Sequence, residues 1–278
     1  MSERIIAAVP TYNAGENLLI LGAQLRKENF DEVFILDDCS TDSSVDELIR
    51  HFPEFTFVHG ETNKGPGGNR NRILDHIDDE TVFFVDADMS LESTNIRSQI
   101  TKALGKTSVG MVGGLILSKE GNPMWWNYGF EMNRDKDTWF YEVTNKLNQT
   151  DTDEKVKKSL LEQLHDADTD YQWVSPKSLE LRTRGVDWVA EGCFAIRGSL
   201  FKHISGYDEQ MRYHEGQDLA KRVRDNNYEV VFDPTIRTKH LEIDVRGDRR
   251  QSDFKKGQFY FFHKHYGMTR TEFESLYS

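Results

Sequence analysis

The chain has 278 residues, of which 37% are hydrophobic, enough apolar material for one large core or two small ones. Its formal net charge of -12 argues against a nucleic-acid backbone as the main partner, because that contact needs a concentrated basic face. The two cysteines, Cys39 and Cys193, lack Cys-x-x-Cys spacing, which argues against a zinc knuckle or a disulfide framework and fits a reducing, cytoplasmic setting.

The N-terminal MSERIIAAVPTYN holds a short apolar run and then a proline, too short for a signal-peptide core, and no segment reaches the length that spans a bilayer. The expectation is a soluble protein, with a peripheral contact at the inner face of the cell membrane left open. Apolar runs rich in β-branched and aromatic residues follow: RIIAAV (4–9), EVFILD (32–37), FTFVH (55–59), TVFFVD (81–86) and VGMVGGLIL (109–117). Between them, helical spacing links Leu18, Leu21 and Leu25, then Val45, Leu48 and Ile49, then Ile73, Leu74 and Ile77. This alternation predicts an α/β fold, a largely parallel sheet with helices on both faces. Such sheets bind ligands beyond the carboxyl ends of their strands.

The loops at those ends carry the chemistry. In ILDDCSTDSS, Asp42 is suited to cap the next helix, whereas Asp38 is left to accept a hydrogen bond from a ligand such as the imide N–H of a pyrimidine. NKGPGGNRNR lacks both the ending of a P-loop and the glycine spacing of a dinucleotide turn. It reads either as a plain turn before a helix or as a loop that sets Lys64, Arg70 and the opening helix N–H groups near a diphosphate. Asp86 and Asp88 close the TVFFV strand one residue apart. Like charges that close repel unless they share a cation, and paired carboxylates of this kind are oxygen ligands for Mg²⁺ or Mn²⁺.

In this order VPTYN (9–13), LDDCSTD (36–42), NKGPGGNRN (63–71), VDAD (85–88), WVAEGCFAIRGSLF (188–201), GYDE (206–209) and EGQDLAKRV (215–223) resemble the inverting family 2 glycosyltransferases of the nucleotide-sugar-binding GT-A fold. The resemblance implies one Rossmann-like domain over 1–278. It divides into a nucleotide-binding half (1–118), an acceptor-side insertion (119–185), a catalytic half (186–250) and a C-terminal helical tail (251–278). It places Pro10, Thr11, Tyr12, Asp38, Lys64, Gly67, Arg70, Asp86 and Ala87 at the nucleotide, usually a uridine nucleotide. It makes Asp88 and His240 metal ligands, with Asp86 on the ribose or the metal. Trp188 and Glu191 fall on the acceptor side.

The implied reaction is metal-dependent, inverting transfer from a nucleotide diphosphate sugar, a UDP-sugar above all, to a hydroxyl of a glycan, a lipid-linked glycoconjugate or a glycosylated protein. Relatives carry Glu-Asp at the start of a helix, but here the aspartate is Gly216. That leaves Glu215 and Asp218 as equal candidates for the base, Asp218 having the further option of pairing with Arg222 one turn on. Two other classes stay open: a nucleotidyltransferase on a similar sheet, and a noncatalytic carbohydrate-binding relative that has lost its base.

In the insertion, Val156, Leu160, Leu161 and Leu164 predict an amphipathic helix, and Trp125, Trp126 and Trp139 either stack on sugar rings or pack the subdomain. The tail FKKGQFYFFHKHYG (254–267) alternates aromatic and basic residues. Either it covers the core, or it meets an anionic membrane or a second subunit.

Overall fold

Runs of β-branched and aromatic residues with no polar interruption can be buried on both faces, and they form the centre of the molecule here. The computed structural model describes residues 4–124, 126–131, 146, 153–166, 180–211, 213–241 and 250–277. Its first half alternates β1 (Ile5–Thr11), α1 (Asn17–Glu28), β2 (Glu32–Asp37), α2 (Ser44–His51), β3 (Thr56–His59), α3 (Gly65–Arg70) and β4 (Thr81–Val85). Then come β5 (Met89–Leu91), α4 (Ile96–Ala103), β6 (Val109–Leu117), β7 (Tyr128–Gly129), α5 (Glu154–Asp166), β8 (Arg184–Val186), β9 (Trp188–Val189) and β10 (Cys193–Arg197). The chain continues through α6 (Gly198–His203), α7 (Glu215–Asp225), β11 (Glu229–His240), α8 (Arg250–Tyr266) and α9 (Arg270–Tyr277). Ile73 and Leu74, expected in an α-helix, lie in a 3₁₀ turn, Asn71–Asp75.

The main sheet runs β3-β2-β1-β4-β10-β6-β11-β5, with β8 added to β11. β3, β2, β1 and β4 are parallel, as expected. Beyond β4 the sheet is mixed: β6 and β11 are parallel to each other and run with β4, whereas β10 is antiparallel to both β4 and β6. The reason is the route of the chain: β10 starts from a turn at the carboxyl end of β4, tied by Asp86 N donating to Gly192 O at 3.3 Å, and so must run back.

Alternate residues of each strand feed two cores. Ile5, Ala7 and Val9 of β1 pack with Leu18, Leu21 and Leu25 of α1 and with Val45 and Leu48 of α2. Ile6 and Ala8 face the opposite way, toward Phe84, Phe194, Phe201, Leu219 and Val223. A third cluster joins Met211 to Phe261, Phe262, Met268 and Phe273, so the aromatic side of the tail is packed inside the protein. Among the described residues, no helix is long and apolar enough to cross a membrane.

A helix is found where one was expected in the insertion, α5; of its expected apolar face Leu160 is buried, Val156 is exposed, and the side chains of Leu161 and Leu164 lie outside the described residues. Trp126 is half-buried against the first core, while Trp125 and Trp139 lie outside the described residues.

β9 lies close over β6. A Cβ on Gly113 would fall 2.3 Å from Val189 Cβ, well inside contact distance. Gly113→Ala is therefore expected to push β9 off the sheet and to destabilise the protein by about 1–3 kcal/mol or more. A thermal midpoint unchanged by this substitution would contradict the close approach.

Candidate active site

The carboxyl ends of β1, β2 and β4 and the starts of β10 and α7 converge on one face. β1 ends in Pro10 and Thr11, and Tyr12 follows with its ring exposed, a surface open for stacking. Thr11 is buried, and its Oγ1 has no hydrogen-bond partner among the described residues.

Asp38, just past β2, is not free in the way its sequence position suggests. Its Oδ1 accepts from Lys64 N at 2.8 Å and from Arg72 Nη2 at 3.2 Å, and its Oδ2 accepts from Gly65 N at 2.8 Å. The carboxylate braces the start of α3 and keeps one lone pair, on Oδ2, for a further donor. Asp42 is not the cap expected of it, because the N-cap of α2 is Ser43; Asp42 sits one residue earlier, its Oδ1 accepting from Ser44 N at 3.2 Å.

The NKGPGG loop departs from its expected role. The N–H groups of Lys64 and Gly65 go to Asp38, Lys64 Nζ pairs with Glu209 at 3.2 Å, and Gly67 packs against the Tyr207 ring, where an added Cβ would be 3.3 Å from Tyr207 Cβ. None of these groups is presented as an open phosphate cradle.

Arg70 departs further. It is buried, its Nη2 lies 2.5 Å from Asp86 Oδ1 and its Nη1 3.6 Å from Glu191 Oε1, and it sits over the Tyr207 ring at 5.5 Å. Burial alone would favour loss of its proton, but Asp86, with Tyr207, Glu191 and Glu215, outweighs that and raises its pKa. Arg70 is thus the central cation of a carboxylate cluster rather than an arm reaching to a diphosphate. Burial first, and the charge of Glu191 second, hold the Tyr207 hydroxyl well above its ordinary pKa.

Ala87 is buried in the first core, so only its backbone faces the site. Asp88 and His240, far apart in sequence, meet because β5 and β11 pair, with Met89 opposite His240. His240 Nε2 lies 3.2 Å from Asp88 Oδ2, while Asp88 Oδ1 is buried and has no hydrogen-bond partner among the described residues. An oxygen and an imidazole nitrogen side by side, with a second carboxylate oxygen unsatisfied, form a donor set that fits a divalent cation. Among the described residues no group of three or more such side chains gathers. Asp86, engaged by Arg70, does not complete a third position.

The two candidate bases separate cleanly. Asp218 is fully buried, with Arg222 at 2.8 Å, Lys264 at 2.6 Å and His265 Nε2 at 2.8 Å. Burial raises its pKa, but His265, Arg222 and Lys264 prevail and bring it down to about 2. It is a structural anion that fastens α8 onto α7. Glu215 opens α7 on the cluster side, after Tyr213 and His214, both left-handed at φ 63°. Two consecutive non-glycine residues in that region store strain, a feature that gathers at functional turns. Burial lowers the His214 pKa to about 4, so the ring is neutral at neutral pH.

Trp188 donates Nε1–H to Phe130 O at 3.0 Å, and its ring lies against Gly129. This packing role differs from the acceptor platform expected of it. Glu191 stands in the turn between β9 and β10, beside Gly216. Sequence reasoning missed Tyr207, Lys264 and His265. Their roles depend on through-space contacts that no local pattern encodes.

Residues 6–172, more than half of the chain, match the profile of the family described as "Glycosyl transferase family 2". The Staphylococcus aureus poly(ribitol-phosphate) beta-N-acetylglucosaminyltransferase TarS is 39% identical over 87 residues, 29% of this chain and 15% of the relative. The Bacillus subtilis glycosyltransferase SunS is 32% identical over 76 residues, 27% of this chain and 18% of the relative. The matched stretches thus span less than a fifth of these relatives' own lengths. Among solved structures, the Pyrobaculum calidifontis mannosyltransferase PcManGT, in complex with GDP-Man and Mn²⁺, superposes with a TM-score of 0.61 at 15% identity, over 100% of this chain and 70% of that one. GalNAc-T7 with UDP, GalNAc and Mn²⁺ gives 0.63 at 14% identity, over 94% and 48%. These likenesses establish the GT-A fold.

Proposed function

We propose, from the premise that the chain belongs to glycosyl transferase family 2, that this glycosyltransferase takes its sugar from a UDP-sugar and inverts the anomeric carbon, with Asp88 and His240 holding a divalent cation. The observation that carries this reading is the Asp88–His240 pair at 3.2 Å with Asp88 Oδ1 unsatisfied, at the carboxyl end of β4. When bound, Mn²⁺ or Mg²⁺ neutralises the negative charge that gathers on the departing nucleoside diphosphate. The rest is the work of the chain. Tyr12 offers a stacking face for the base, and Thr11 Oγ1 a hydrogen-bonding atom beside it. Arg70 holds Asp86 and lies beside Glu191, so one cation serves two carboxylates at the floor of the site.

The choice of base follows from the acceptor capacity of Asp38. Oδ1 already takes two hydrogen bonds and Oδ2 one, which leaves a single lone pair. One lone pair matches the single imide N–H of uracil, whereas guanine presents two adjacent donors and asks for both oxygens. The neighbouring structures hold both kinds of nucleotide, GDP-Man in one and UDP in another, so the argument for UDP rests on Asp38. The acceptor is proposed as a hydroxyl of a glycan, lipid-linked or protein-linked.

The test is turnover of UDP-GlcNAc, UDP-GalNAc and GDP-mannose with Mn²⁺ and then with chelator, followed by identification of the released phosphate species. Metal-dependent release of UDP is expected. Pyrophosphate as product would place the chemistry at phosphorus and overturn the proposal.

A further inference from the structure

We propose that Glu191 is the general base of the transfer, reaching from the turn before β10 into the space that a side chain at position 216 would otherwise fill. The assignment rests on the glycosyltransferase reading above and names the group that removes the acceptor proton.

The geometry is specific. A Cβ built on Gly216 would lie 2.7 Å from Glu191 Cγ, 3.1 Å from its Cδ and 3.3 Å from its Oε2. The Glu191 carboxylate and a side chain at 216 therefore compete for one volume. Gly216 is the second residue of α7 and is not among the residues with positive φ. Glycine is thus not required there by the backbone, and the feature that its missing side chain serves is Glu191.

The other carboxylates are less suited. Asp218 has no exposed surface and is held by Arg222, Lys264 and the His265 ring. Asp86 is bound by Arg70 at 2.5 Å. Glu215 is 8% exposed, whereas the Glu191 side chain is 25% exposed, so an incoming hydroxyl meets Glu191 more readily. Arg70, 3.6 Å from Oε1, and the bond from Asp86 N to Gly192 O fix the turn that carries Glu191 beside the β4 loop.

In the step, the acceptor oxygen forms a bond to the anomeric carbon while its O–H proton passes to a Glu191 oxygen. The bond from the anomeric carbon to the diphosphate oxygen breaks, and its electron pair leaves with the nucleoside diphosphate. Glu191 then releases the proton to solvent.

The acceptor is unidentified, so water serves as the acceptor probe, and release of UDP from UDP-GlcNAc or UDP-GalNAc, whichever turns over, is the readout. Glu191→Gln is expected to lower kcat by about 10²–10⁴-fold, the usual contribution of a general base, with the donor KM and the UDP affinity within about twofold of wild type. Glu191→Ala removes the three atoms nearest to a Cβ at 216, so the double variant Glu191→Ala/Gly216→Asp is expected to regain turnover at least about tenfold over Glu191→Ala alone, by returning a carboxylate to the same place.

A kcat for Glu191→Gln within threefold of wild type overturns the assignment. So does loss of UDP binding in step with turnover, which would mark a donor-site positioning role. So does a double variant that binds UDP but regains nothing. A wild-type protein that releases no nucleoside diphosphate from any donor overturns the transferase reading itself, and the assignment with it.

Discussion

Replacing Asp218 by asparagine is expected to lower the thermal midpoint by roughly 10 °C, since breaking a buried ion network costs about 3–5 kcal/mol and each kcal/mol moves a domain of this size by about 2–4 °C. Asp218 has no exposed surface, and its two oxygens hold Arg222, Lys264 and His265. Arg222 also donates to Ile204 O at 2.8 Å and to Gly206 O at 2.6 Å. The network therefore locks three segments together: the loop after α6, the helix α7 and the tail helix α8. Asparagine keeps the shape and removes the charge, leaving Arg222 without its carboxylate partner and Lys264 with Asp208 alone.

The same residue predicts an acid limb. Its folded pKa is brought from 3.8 down to about 2, so the stabilisation it gives is complete above about pH 4 and is lost as the pH falls through 2. Thermal scans from pH 7 to pH 2 should show this loss in the wild type and a much shallower one in Asp218→Asn. Equal midpoints for the two proteins, or parallel acid limbs, would show that Asp218 is not the anchor described.

The second large effect is expected at the other end of the site. Asp88→Asn should reduce nucleoside diphosphate release on the order of 10²–10³-fold, the scale on which removal of one charge-stabilising group acts. The amide retains one oxygen but loses the charge, and it can turn its nitrogen toward His240. Asp88 belongs to the short link between β4 and β5, where Leu241 N donates to Asp88 O at 2.9 Å. That backbone bond survives the substitution, so the midpoint should move little. Metal-dependent turnover that persists unchanged in Asp88→Asn would remove this residue from the cation site.

Much of the fold was readable in the chain. EVFILD and VGMVGGLIL coincide with β2 and β6, because uninterrupted apolar runs between turn residues leave few other solutions. The direction of β10 was not readable. CFAIR is an apolar run like the others, and only the turn at Gly192 makes it run against β4.

The site shows the same division. Chain order singled out loops that converge on one face of the sheet, yet charge type did not reveal partners. Arg70 looks like a phosphate ligand in NKGPGGNRNR and is in fact neutralised by Asp86. Lys264 and His265 look like the basic face of a surface helix and are the partners of buried Asp218. Gly216 reads as a missing carboxylate until Glu191 is seen occupying its space. In each case the deciding contact joins residues distant in sequence, which periodicity and local motifs do not record.

The most direct test of the account is calorimetric titration of UDP, and of GDP in parallel, into the wild-type protein and into Asp88→Asn, with Mn²⁺ and then with chelator. The account predicts that UDP binds the wild type with Mn²⁺, that chelator or Asp88→Asn abolishes that binding, and that GDP binds more weakly than UDP. Binding of UDP that is indifferent to chelator and to Asp88→Asn, or no binding of either nucleotide, would contradict it.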